Sequence, residues 1–194
     1  MKMLIGLTGR TGSGKSSAAR IFESLGAFVA DCDKVAHEIL HDENIRQELC
    51  AIFSSDILDK DGKIDRKKLG AIVFSDKENL KRLNGIVHPA IVKKCVELCE
   101  NSGKDICLMD GSELESSGAD NLCRHIVVIT ADENTRLDRI MSRDGIDKDT
   151  ALKRINSQTD YSKDAIFVDN NESQEVLEQK ITRLYEMFSG EINA

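Results

Sequence analysis

Apolar residues along the chain follow two rhythms. Short continuous runs of strand length occur at Met3–Leu7, Phe28–Ala30, Ile106–Met109, His125–Ile129 and Ile166–Val168. Between them the spacing changes to that of one helix face. Ile21, Phe22 and Leu25 form one such set, Leu137, Ile140 and Met141 another. Val176, Leu177, Ile181, Leu184, Tyr185 and Phe188 form a closing amphipathic helix. Uninterrupted apolar strands alternating with helices predict a parallel sheet covered on both faces, and so an α/β fold.

The stretch from Val35 to Glu100 breaks the alternation. Its apolar positions keep helical spacing throughout, at Val35/Ile39, Ile45/Leu49/Ile52/Phe53, Leu69/Ile72/Val73 and Leu80/Leu83/Val87. A further helix is expected to start at Pro89 and run through Ile91, Cys95 and Leu98, because proline suits a first helical position, where its missing N–H costs nothing. These residues read as a helical insertion between the second and third strands. Insertions at the carboxyl edge of a parallel sheet are where substrates are usually gripped.

Composition narrows the picture. The chain has 194 residues, 40% of them hydrophobic, enough for one compact core. A net charge of −7 with no basic block speaks against duplex nucleic acid as a partner. No apolar run reaches membrane-spanning length. The start, Met1 to Thr8, is apolar like a signal segment, but it leads into Gly-Arg-Thr-Gly instead of a cleavage site. It reads as a core strand, and the protein is expected in the cytoplasm. Six cysteines, at 32, 50, 95, 99, 107 and 123, form no Cys-x-x-Cys pair. Cys95 and Cys99 lie one helical turn apart, but small core thiols explain them better than a metal site.

The chemistry is concentrated in Gly9-Arg10-Thr11-Gly12-Ser13-Gly14-Lys15-Ser16, which fits G-x-x-x-x-G-K-[ST] between a strand and a helix. In such a loop backbone N–H groups surround phosphate oxygens and the following helix adds its positive end. Lys15 then reaches the β- and γ-phosphates of ATP, and the Ser16 hydroxyl binds Mg²⁺. Asp31 and Asp33 end the second strand two residues apart, so they face the same way if the strand continues. One can take a proton from an attacking hydroxyl while the other positions metal-bound water. Alternatively one of them only caps the helix that starts near Lys34. Asp110 ends the third strand, where either a second carboxylate on the Mg²⁺ side or a solvated strand end fits. Arg136, Arg139 and Arg143 recur on one helix and Arg154 on the next. They could neutralise phosphates, although spacing alone favours a solvated face. Two motifs fail. Asp59-Lys60-Asp61-Gly62 would place Ile57 first and Lys68 twelfth in a calcium loop, and no strand or guanine-reading motif supports a GTPase reading. A lone His88 before Pro89 is more often structural than catalytic.

Taken in order, several segments resemble the dephospho-coenzyme A kinase family over nearly the whole chain. They are Leu7-Thr8-Gly9 through Lys15-Ser16-Ser17, Ala30-Asp31-Cys32-Asp33, Asp61 through Arg66, Leu83-Asn84 through His88-Pro89, Arg143-Asp144-Gly145, Arg154 through Gln158, and Asp169-Asn170. The resemblance implies a P-loop NTPase-type parallel sheet with helices on both faces, a helical substrate-binding insertion and a lid. It implies one kinase domain over 1–194, with core 1–36, 101–135 and 160–194, coenzyme-binding insertion 37–100 and lid 136–159. The implied reaction moves the ATP γ-phosphoryl to the ribose 3′-hydroxyl of dephospho-coenzyme A, the last step of coenzyme A synthesis, with ATP and Mg²⁺. Carried over by position, Asp33 is the base, Lys15 with lid residues Arg139 and Arg143 serves catalysis, and Gly12, Ser13, Gly14, Lys15, Ser16, Ser17 and Asn170 hold the nucleotide. Asp31, Arg66, His88 and Asp110 fall on the acceptor side. No nucleic acid or membrane partner is implied, and the chain is expected as a monomer or weak homo-oligomer. The chain departs from the family after the third strand. Ser112 stands for the usual proline, the family acid falls on Ser116, and an acid sits one place earlier at Glu115. His37 stands where an arginine is common. A related kinase with a nucleotide acceptor, or an ATP-binding module without chemistry, therefore stays open at this stage.

Overall fold

A computed structural model describes residues 2–193; Met1 and Ala194, the ends of the expected domain, lie outside the described residues. In chain order the elements are β1 (Met3–Thr8), α1 (Lys15–Ser24), β2 (Phe28–Asp31), α2 (Cys32–Ile39), α3 (Glu43–Phe53), α4 (Arg66–Val73), α5 (Lys77–Asn101), β3 (Ile106–Asp110), β4 (His125–Thr130), α6 (Glu133–Asp144), α7 (Lys148–Asn156), β5 (Ile166–Asp169) and α8 (Gln174–Asn193). All five strand runs of the sequence are strands, each extended by one residue at its carboxyl end. Chain contacts divide the protein into two compact units, one of residues up to Ala30 and from Cys99 onward, the other Asp31–Leu98.

The first unit carries a five-stranded sheet in the order β2-β3-β1-β4-β5. β1 sits at its centre, pairs in parallel with β3 and β4, and β4 pairs in parallel with β5. Leu7 lies opposite Asp110, Thr8 opposite Val128 and Thr130 opposite Asp169. This register brings the ends of β1, β3, β4 and β5 to one edge. The core joins Ile5, Leu7, Leu108, Val127 and Ile129 of the strands to Ala18 and Phe22 of α1 and Leu177, Ile181 and Phe188 of α8. Phe22 and Phe188 stack with ring centroids 6.5 Å apart. Leu137 and Ile140 of α6 and Ala151 and Ile155 of α7 make a smaller cluster of their own.

The second unit is helical. Leu49 and Phe53 of α3, Ile57, and Leu69 and Val73 of α4 form its core, with Leu83 and Ile86 packed against them. Each of α2, α3 and α4 starts at an aspartate, Asp31, Asp42 and Asp65, whose carboxylate accepts first-turn N–H groups. No helix begins at Pro89. It lies inside the 25-residue α5. Proline there removes one i→i−4 bond and crowds the carbonyl of Gly85. The remaining turns on either side keep the helix in register, and Gly85 has open space around it.

Candidate active site

β1 delivers the chain into the loop 9–14, and α1 leaves it at Lys15. The turn is closed by Ser13 N–H donating to the Arg10 carbonyl at 3.0 Å. Two glycines are required by the space. At Gly12 (φ +79°) a Cβ would stand 2.8 Å from the Arg136 carbonyl oxygen, and at Gly14 (φ +97°) 2.1 Å from Asn170 Nδ2. Gly14 is also the N-cap of α1 and offers no capping side chain. The first turn carries no acidic residue either, so the positive end of the helix is not neutralised from within α1, as an anion site requires. Lys15 Nζ pairs with the carboxylate of Asp110, both side chains largely shielded from solvent. The strand-end acid is thus not a solvated terminus, because the β1–β3 register sets it beside the loop.

A second set of groups holds the loop in shape. Asn170 follows β5, is buried, and donates Nδ2–H to the Ser13 carbonyl at 2.7 Å. Arg139 of α6 donates to the carbonyls of Gly12 at 3.3 Å, Ser13 at 3.4 Å and Asn170 at 2.9 Å. The solvated-face reading of the arginines is therefore wrong for Arg139. It is wrong for Arg136 too, which is only 5% exposed. Burial, with Arg10 as a like-charged neighbour, lowers the Arg136 pKa. The reading holds for Arg143, whose side chain is 61% exposed and bound to Asp144, and Arg154 joins the same carboxylate at 2.6 Å. α6 repeats at about 3.6 residues per turn, so Arg136, Arg139 and Arg143 share a broad face, but only packing tells which of them meets the loop.

The contacts between the loop and residues 155–160 escaped the sequence reading. Arg10 donates to the Ile155 carbonyl at 2.6 Å and pairs with Asp160 at 3.2 Å. Gln158 Oε1 accepts the Thr11 N–H at 2.6 Å. Their partners lie more than 120 residues away in sequence, beyond the reach of any local pattern, although Gln158 stands in a segment that carried the family resemblance. A cavity of about 810 Å³ opens next to these contacts, lined by Arg10, Ser13, Thr130, Arg136, Gln158 and Tyr161 among others. Among the described residues, Arg10 Nε, Ser13 Oγ and Arg136 Nη1 have no hydrogen-bond partner. Donors buried without a partner are costly, so this wall is suited to water or an anion. The departure after β3 also lines the cavity, through Ser112, Glu113, Glu115 and Ser116. Glu115 accepts from Ser162 N–H at 3.0 Å and from the Ser162 hydroxyl, which holds its carboxyl below the usual range, while Ser116 donates to Glu113. Deeper in, Asp120 binds Lys163 and accepts from the Tyr161 hydroxyl at 3.1 Å; burial and that carboxylate push the phenol up to about 12.

In the helical unit, Asp31 accepts the Lys34 N–H at 2.9 Å and caps α2, so the capping alternative applies to it. Asp33 is not on a strand. It lies in the first turn of α2 and is exposed. The same-face argument from strand alternation therefore does not apply to the pair. Arg66 opens α4 and is exposed, and His88 lies half-buried in α5 next to Pro89. The rejected calcium loop is a tight turn: Asp59 accepts N–H from Asp61 and Lys63, each at 2.9 Å, and Gly62 takes φ +74°. Among the described residues no group of three or more His, Cys, Asp or Glu side chains could hold a metal, and no helix is long and apolar enough to cross a membrane.

The comparisons agree with one another. The dephospho-CoA kinase family profile matches residues 3–176. The chain is 39% identical over 188 residues to a dephospho-CoA kinase of Fusobacterium nucleatum, covering 95% of this chain and 97% of the relative. It is 36% identical over 191 residues to that of Geobacter sulfurreducens, covering 94% and 96%. Among solved structures, TT1252 from Thermus thermophilus superposes with a TM-score of 0.80 at 28% identity, covering 96% of this chain and 97% of that one. Dephospho-CoA kinase from Campylobacter jejuni gives 0.67 at 29%, covering 98% of each. Ordered P-loop, matched fold and full-length likeness together establish that the chain belongs to the dephospho-CoA kinase family and carries its ATP-dependent phosphotransferase activity, the last step of coenzyme A synthesis.

Proposed function

We propose that this chain transfers the γ-phosphoryl of ATP to the 3′-hydroxyl of dephospho-coenzyme A with Asp33 as the base and the loop 9–16 as the phosphate cradle. The observation that carries the reading is the Lys15–Asp110 pair at an uncapped helix start. In this account the nucleotide phosphates take Lys15 over from Asp110, and the Gly12–Ser17 backbone surrounds them. Asn170 and Arg139 keep the loop in shape, and Arg139 adds positive charge beside the transferred group. Asp33 orients the acceptor hydroxyl and accepts its proton. Arg143, released from Asp144, closes over the phosphates from the lid 136–159. Asp31, with Arg66 and His88 of the insertion 37–100, positions the acceptor.

The residues present fit Mg²⁺. The Ser16 hydroxyl is exposed in the first turn of α1, and Asp110 supplies a carboxylate close to the loop. Magnesium is usually held by one or two such oxygens together with substrate phosphates. Bound there, the ion would neutralise charge on the phosphate oxygens. The working location is the cytoplasm and the working form a monomer or weak homo-oligomer.

Purified protein mixed with Mg-ATP and dephospho-coenzyme A should release ADP and coenzyme A in equal amounts. Asp33→Asn should lower turnover by about 10²- to 10⁴-fold with ATP affinity kept. Retained turnover removes Asp33 from the role of base.

A further inference from the structure

Cys32 stands between the α2 cap Asp31 and Asp33. It is half-buried. Cys95, inside α5, is fully buried. The Cys95 thiol donates toward Cys32 at a sulfur–sulfur distance of 3.8 Å. The two side chains are in contact although 63 residues separate them in sequence. Other thiols turn to backbone oxygens: Cys107 donates to the Cys99 carbonyl and Cys123 to the Ala119 carbonyl, each at 3.5 Å. Burial and Asp120 push the Cys123 thiol up to about 12, which leaves it little thiolate. The Cys32 contact moves Cys95 the other way, lowering its pKa against burial and the charge of Asp31.

We propose that Cys32 and Cys95 are a modification site, closing into a reversible disulfide that turns phosphoryl transfer off by displacing Asp33. The oxidant is a peroxide. The Cys32 thiolate, reachable from solvent, attacks one peroxide oxygen; the O–O bond breaks, hydroxide leaves, and Cys32 becomes a sulfenic acid. The Cys95 thiolate then attacks the Cys32 sulfur; the S–O bond breaks and hydroxide departs, taking a proton to leave as water. Two thiols and one hydrogen peroxide give one disulfide and two waters. Closing the gap to a bonded separation of about 2.05 Å draws the first turn of α2 toward α5. Asp33 is the next residue in that turn, and a misplacement of about 1 Å at a reacting group can cost about 10²-fold in rate. A dithiol reverses the bond by exchange. The loss of turnover rests on Asp33 as base; the disulfide itself does not.

The test oxidises reduced, full-length protein with hydrogen peroxide, blocks remaining thiols with N-ethylmaleimide, and maps tryptic peptides alongside turnover. The expected result is peptide 21–34 joined to peptide 95–104, with turnover down by about tenfold or more and restored by dithiothreitol. Because Cys99 shares the second peptide, Cys95→Ala decides the partner: it should keep basal turnover, show no link and resist peroxide. Cys32→Ser should also lose the link. No link in the unaltered chain, or a link that survives Cys95→Ala, overturns the site. A link with unchanged turnover overturns the switch. A reduced protein that makes no coenzyme A defeats the proposed mechanism, and the peptide map still decides the disulfide.

Discussion

At the scale of single residues, the P-loop is held from behind as much as from within. Asn170 occupies the space where any side chain at position 14 would go, and its amide takes the Ser13 carbonyl. Gly14→Ala brings left-handed strain of about 1–3 kcal/mol and pushes Asn170 away as well. The expected outcome is a folded protein whose ATP dissociation constant rises about tenfold or more, one factor of ten being about 1.4 kcal/mol. Titration calorimetry with Mg-ATP measures it, with circular dichroism as the control. An unchanged affinity would mean that the loop is not the nucleotide cradle.

At the scale of elements, the turn between α6 and α7 is a small ionic device. Asp144 receives Arg143 at 2.7 Å and 2.9 Å and Arg154 at 2.6 Å. The Arg143 hydrogen bonds, then the charges of both arginines, hold the Asp144 carboxyl below the usual carboxylate range. A depressed folded-state pKa gives stability that is present above the unfolded value, about 3.9, and lost as pH falls through the folded value. The melting temperature of Asp144→Asn should therefore lie below that of the unaltered protein at neutral pH. The two should converge in acid, below the ordinary aspartate range. A constant gap across that range would show that the pairs contribute nothing that titrates. The same ion pairs bear on the lid proposal, since Arg143 must leave Asp144 to reach a phosphate.

At the scale of the whole molecule, the sheet and its two core helices set what the loop can rely on. Phe188 is fully buried, stacks on Phe22, and lies 5.0 Å from the His125 ring. His125 in turn meets Glu191 at 3.0 Å. Phe188→Ala should cost about 3–5 kcal/mol. Chemical denaturation with native-like activity below the transition checks this; a change under about 1 kcal/mol would mean that α8 is not part of the cooperative core.

The strands, most helices, the P-loop and the family were legible in the sequence because each rests on local order. An apolar run makes a buried strand, a 3.6-residue period makes a helix face, and glycines at fixed offsets make a phosphate loop wherever the fold places them. Pro89 misled because a local preference for helix starts was outweighed by the turns on both sides of it. Asp33 misled because alternation holds only while a strand lasts, and Asp31 ends it by capping α2. The order β2-β3-β1-β4-β5, the pairing of Lys15 with Asp110, the hold of Arg139 on the loop, the bond from Arg10 to the Ile155 carbonyl, and the meeting of Cys32 with Cys95 were decided by tertiary structure alone. Each joins residues tens to more than a hundred positions apart. Only burial, the loss of water as a competing partner, selects one such pairing from the many that the same side chains could make.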